Sequence, residues 1–145
     1  MLKLMPVVLL AFVALTGCTQ PVAMEPAPDA ENALCAEVSV RLPDEIGDAA
    51  KRETNAQGTG AWGTPAQALL QCGVDIDEVS SLECRNFEGI DWLIDPSDPD
   101  LVTATTYGRD PAVRVAIDKN VTGPGVILAE LADAVAVIPA TKACS

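Results

Sequence analysis

The chain has 145 residues with 9 basic and 21 acidic side chains, a formal net charge of −12 and no histidine. That balance excludes several classes at once. Without imidazole there is no Ser-His-Asp triad and no histidine metal ligand, and nucleic acid, bound largely through Lys and Arg on phosphates, is no partner for so acidic a chain.

Lys3 precedes an apolar run from Leu4 to Leu15, which Pro6 interrupts. The run is shorter than the roughly 20 residues of a spanning helix and fits the positive n-region and apolar h-region of a signal peptide. Leu15, Thr16, Gly17 and Cys18 have the form of a bacterial lipobox. In that motif the cysteine thiol takes a diacylglyceryl group and the peptidase cuts before it. Residues 1–17 are therefore expected to be a lipoprotein signal peptide, and Cys18 the lipidated first residue. Acyl chains such as palmitate would hold it to the cell membrane on the extracytoplasmic side, at about 0.8 kcal/mol per buried methylene.

Residues 18–31 carry Pro21, Pro26 and Pro28 among alanines and acids. Such a stretch buries too little to offset its ordering entropy and is expected to be a flexible tether. A single globular domain is then expected over 32–145, with one core.

Within it, Leu34, Val38 and Leu42 recur every fourth residue between Asn32, a good N-cap, and Pro43, a stop, and predict a helix, with a strand through Val38, Val40 and Leu42 as the rival. Asp44 to Gly63 is polar and glycine-rich and reads as loop with at most an edge strand. Residues 64–73 are open between a helix, which Thr64, Pro65 and Gln67 would start, and a strand. Ile90, Trp92 and Ile94 alternate with Asp91, Leu93 and Asp95, a turn follows at 96–100, and Leu101 to Tyr107 completes a hairpin. After a turn at 108–111, Val113, Val115 and Ile117 make a half-buried strand. Ile127, Leu128, Leu131, Val135 and Ile138 form one helical stripe over 124–138, ended by Pro139. The expected fold class is α+β: a small antiparallel sheet of about four to five strands with an N-terminal and a C-terminal helix on one face.

Beyond Cys18, the cysteines Cys35, Cys72, Cys84 and Cys144 are an even number in an exported chain and read as two disulfides. A short local loop favours Cys72 with Cys84, which leaves Cys35 with Cys144. Wide spacing and the lack of histidine argue against zinc, and no cofactor motif occurs; Gly58, Gly60 and Gly63 lack the lysine of a phosphate loop.

No residue set reaches the specificity of a catalytic motif. Asp91 and Asp95 share a strand face and are the paired carboxylates an acid-base hydrolase would use, but simple alternation accounts for both. Asp95, Ser97, Asp98 and Asp100 crowd one turn without the Gly and distal Glu of a calcium loop. Trp62, in a Gly-rich stretch, is either a plug at the core's edge or a stacking platform. Tyr107 and Arg109 flank Gly108, where Arg109 either pairs with Asp110 or holds a ligand's anionic group. Trp62, Tyr107 and Arg109 together are the candidate binding residues if the fold brings their loops to one edge.

Cys35 with Leu42 and Pro43, "AWGTP" at 61–65, "CGV" at 72–74, Cys84, "GIDW" at 89–92 and "TYGRDPAVRV" at 106–115 resemble, in this order, an actinobacterial lipoprotein family of unknown function, domain of unknown function 3515. The resemblance spans nearly the whole exported domain and implies location and fold but no catalytic residue. It also implies a strand before "CGV", although Ala66, Gln67 and Ala68 depart from the β-branched residues typical there. The functional expectation is a non-catalytic, lipid-anchored binding or assembly module of the cell envelope. Its partners would be the membrane through Cys18 and an envelope protein or glycan. The alternatives are a carboxylate-dependent hydrolase of cell-wall glycan or peptide and an accessory substrate-binding lipoprotein of a transporter.

Overall fold

A computed structural model describes residues 19–76, 81–121 and 123–145; Cys18 and the signal peptide lie outside them. The described residues form three short helices, Ala33–Ser39 (α1), Pro124–Glu130 (α2) and Ala132–Val135 (α3). They also form eight strands: Glu45–Ile46 (β1), Ala49–Arg52 (β2), Thr59–Trp62 (β3), Ala68–Val74 (β4), Glu83–Phe87 (β5), Ile90–Asp95 (β6), Leu101–Thr106 (β7) and Ala112–Asp118 (β8). The strands make one antiparallel sheet in the order β1-β2-β3-β4-β8-β7-β6-β5. Two four-stranded meanders thus meet where β4 pairs with β8.

This corrects the expectation of a small sheet of four to five strands carrying two helices. The missed strands are the short and unpatterned ones. β3 reads Thr-Gly-Ala-Trp and is buried at every position, so it has no alternation, and Gly60 and Ala61 interrupt any run of branched side chains that could announce it. β5 is a mostly exposed edge strand with Glu83, Arg85 and Asn86, the polar composition that discourages further pairing. Residues 64–73 resolve as a turn into β4, in line with the strand that the family resemblance implied. The C-terminal stripe is two short helices that meet at Leu131.

The core lies between the sheet and the helices. Leu70 and Cys72 of β4, Val113, Val115 and Ile117 of β8, and Ile90 and Trp92 of β6 are buried. They share one apolar cluster with Cys35, Val38, Leu128, Leu131, Val135 and Ile138. The Asn32 side chain accepts from Leu34 N at 3.0 Å, and the helix it caps turns Cys35 and Val38 inward.

The disulfides are Cys35 with Cys72 and Cys84 with Cys144, which corrects the expected pairing. β4 and β5 are four places apart in the sheet, and at about 4.8 Å per strand that is ~19 Å. A disulfide spans Cα atoms only about 4.4–6.8 Å apart, so Cys72 cannot reach Cys84. Instead Cys72 points into the core and pins α1 to β4, and Cys84 holds the C-terminal segment to the edge strand.

Residues 20–31 are not a free tether either. Val22 N donates to Glu53 O at 2.8 Å, Asn55 N to Val22 O at 3.3 Å and Asp29 N to Gly73 O at 3.0 Å. Gln71 Nε2 donates to Glu25 O at 2.9 Å, and Ala27 and Ala30 are buried. The alanines that looked too small to pack fit where the segment crosses the sheet closely. Gly73 makes the crossing feasible: its φ is +92°, and a Cβ there would stand 2.3 Å from the Asp29 carbonyl carbon.

Candidate functional site

The turn between β7 and β8 carries Tyr107, Gly108, Arg109 and Asp110, and the C-terminal segment lies across it. Thr141 donates to Gly108 O through its backbone N at 2.7 Å and its hydroxyl at 3.1 Å. Gly108, at φ +70°, permits this crossing because a Cβ would sit 2.3 Å from Lys142 O. Beneath the turn, Val113 N donates to the buried Thr106 hydroxyl at 3.0 Å, and Tyr107 N donates to Asp91 O at 2.8 Å.

A cleft of about 450 Å³ opens beside this turn, lined among others by Tyr107, Arg109, Asp110, Lys142, Asp75 and Leu93. Tyr107 also borders a smaller cavity of about 250 Å³ beside Cys84 and Cys144. Asp110 and Lys142 are exposed at the rim and Tyr107 is half-buried. The cleft therefore offers one aromatic surface with groups of both charges around it.

Arg109 itself is only 8% exposed. Its Nη1 donates to Ile138 O, and its Nε has no partner among the described residues. Burial holds its pKa below the ordinary arginine value, and the charge of Asp91 opposes that shift. Hence Arg109 turns inward and latches the end of the helical segment, with Asp91 rather than Asp110 as the carboxylate acting on it. Asp91 has a structural role of its own, missed in the sequence: its Oδ2 accepts from Cys144 N at 2.8 Å and its Oδ1 from Asn86 Nδ2 at 2.6 Å.

Trp62 is brought to a different place. It is fully buried in β3, and its indole N–H donates to Pro43 O at 2.9 Å. Its register partners run through Ala68 to Ile117 and Val102, toward the opposite end of the sheet from Tyr107. Trp62 is a plug, and the three-residue patch does not form.

The remaining polar clusters are also accounted for by local structure. Asp95 Oδ1 accepts from Ser97 N at 2.9 Å, and Asp98 Oδ1 accepts from Asp100 N at 2.8 Å and Leu101 N at 2.9 Å. Hydrogen bonds from the Ser97 side chain and backbone hold the Asp95 carboxyl below its ordinary pKa, and Lys119 adds to the effect. Lys119 donates to the carbonyls of Pro96 and Asp98. Among the described residues no three His, Cys, Asp or Glu converge on a metal position, and no helix is long and apolar enough to cross a membrane. Gly58, in the turn before β3, packs under Ala30, and Gly60, within β3, packs beside Trp62, so neither belongs to a phosphate cradle.

No curated protein and no solved structure matches the chain. A family model described as "Protein of unknown function (DUF3515)" matches residues 2–143. The match covers the Cys35–Cys72 disulfide, Cys84, the glycine crossings and the cleft and ends one residue before Cys144, and the chain belongs to that family.

Proposed function

We propose that this protein is an envelope protein anchored by lipid on Cys18 to the outer side of the cytoplasmic membrane, and that it is a non-catalytic binding or assembly module. The two disulfides suggest an oxidising, extracytoplasmic setting. The Leu15–Cys18 motif supports the anchor. The contact surface is the cleft beside Tyr107, whose aromatic face and mixed-charge rim suit a segment of an envelope protein or a glycan.

The observation that carries the non-catalytic reading is the placement of the carboxylates. Asp91 and Asp95 are four residues apart on β6, about 13 Å at ~3.3 Å per residue. Glycosidase carboxyl pairs stand only about 5–9.5 Å apart. Asp91 is also engaged with Cys144 and Asn86, which favours a module over the hydrolase.

Capture from crosslinked envelopes tests the surface. Asp110→Ala should reduce recovery of partner while leaving the thermal midpoint in place, since its side chain is exposed. Undiminished capture would remove the cleft from the account. Cys18→Ala should abolish lipid labelling and membrane fractionation, and a processed, lipid-labelled Cys18→Ala chain would refute the anchor.

A further inference from the structure

The way residues 20–24 dock fixes where the chain enters the fold, and with it the orientation of the domain at a membrane. Val22 bridges Thr54 in parallel, so this segment runs in the same direction as β2. The start of β2 lies by the β3–β4 turn: Gly63 N donates to Ala50 O at 2.9 Å, and Lys51 is level with Trp62. Going backward from Val22 therefore leads toward residues 63–67. The Arg52 guanidinium joins the two directly, donating through Nη1 to Gly63 O at 3.3 Å and through Nη2 to Gln20 O at 3.2 Å. Cys18 is two residues before Gln20, at most ~7 Å of extended chain.

The two stretches of chain nearest this exit have the charge character a lipid surface tolerates. The chain is strongly acidic, yet no charged residue occurs from Thr54 to Val74 or from Thr19 to Met24. Thr64 and Pro65 are exposed at the turn. Lys51 and Arg52 stand on the adjoining strand and Asp48 and Asp118 at the flanks, while the acidic turn at 96–100 lies further along the same end of the sheet, beyond Asp118, which is level with Leu101. The cleft is at the other end: Gln67 precedes β4, whereas Val74 and Asp75 at its far end line the cleft. Seven residues of strand separate the two by about 20 Å.

We infer that the lipid on Cys18 seats the domain directly on the phospholipid surface through the turn at 63–67, with the Tyr107 cleft held about 20 Å further out and facing away from the membrane. This rests on the lipidation of Cys18 proposed above. The docked segment 20–31 is then a fixed collar and not a spacer, and the cleft meets partners at a set height and angle.

Tryptophan quenching by brominated lipid tests the orientation. Lipidated chain extracted from membranes is reconstituted into phosphatidylcholine vesicles whose acyl chains carry bromine near the headgroup. Trp62 and Trp92 are fully buried and give a constant background. Thr64→Trp should lose most of the emission it adds, and Asp110→Trp should keep it. Ala66→Trp is a second probe on the turn should Thr64→Trp not fold. Quenching of Asp110→Trp alone, equal quenching of both ends, or quenching of neither would overturn the orientation while leaving the anchor intact, provided that the chain floats with the vesicles and carries the diacylglyceryl mass on Cys18. A chain without that mass overturns the anchor, and the orientation with it.

Discussion

The two ends of the described fold, residues 20–31 and 139–145, reach the sheet in the same way and are locked in different ways. Each crosses a glycine of positive φ, Gly73 or Gly108, where an added Cβ would come within 2.3 Å of the crossing backbone. The N-terminal segment is held by backbone hydrogen bonds and by Ala27 and Ala30, all of which exist only in the folded state. The C-terminal segment is held by Cys84–Cys144, which also restricts the unfolded chain. A backbone crossing thus requires a missing side chain, while its permanence depends on what flanks it. The difference fits the roles inferred for the two ends: the first sets the angle at the membrane, and the second forms one wall of the cleft.

The largest expected effect empties the core beside Leu42 and Pro43, a part of the molecule that neither crossing segment touches. Trp62→Ala should cost about 3–5 kcal/mol, as truncation of a core aromatic does, read by chemical denaturation. Amide exchange should rise first around Leu42 and in β3, and later in residues 22–30 and at Thr141. A loss under ~1 kcal/mol would show that Trp62 is not a core plug.

Next, each disulfide closes a loop worth about 4 kcal/mol in chain entropy, with separations of 37 and 60 residues. Cys84→Ser with Cys144→Ser should cost about 2–5 kcal/mol, free the tail and raise exchange at Thr141 while residues 22–30 stay protected. Cys35→Ala with Cys72→Ala should cost more, because both sulfurs are fully buried and their loss also leaves a cavity. The reverse order would contradict the burial difference between the two bridges.

The glycines sharpen the contrast. Gly73→Ala and Gly108→Ala should each lose about 1–3 kcal/mol from the positive φ, in addition to the clash. Limited proteolysis should then cut within residues 20–31 in Gly73→Ala and release a fragment. In Gly108→Ala the tail should stay bound through Cys144. Equal release from both variants would show that the disulfide adds nothing to the seating.

The smallest effect lies away from both ends. The Asp95 pKa is lowered in the folded state, so its contribution is present above the unfolded value of 3.8 and is lost as pH falls through the lower folded value. Ser97→Ala should raise the Asp95 carboxyl midpoint in an NMR titration and leave Arg109 and both segments unchanged. An unshifted midpoint would remove Ser97 as the cause.

By itself the sequence determined the elements with a strong local signal. The Asn32 cap and four-residue spacing gave α1, and the alternation at Ile90–Asp95 and Val113–Ile117 gave the meander, because a half-buried strand must repeat with period two. Tertiary structure decided the rest. Whether Trp62 is platform or plug depends on what covers β3, and that cover comes from segments remote in sequence. The disulfide pairing follows from the distance between β4 and β5, which sequence separation does not encode. The low hydrophobicity of residues 18–31 signalled a tether only because burial of Ala30 requires the side-chain-free surface at Gly58 and Gly73, and burial of Ala27 requires Val74 and Ala112 from distant strands. Arg109 likewise looked like a surface anchor until the C-terminal segment, folding back across Gly108, brought Ile138 O to its guanidinium.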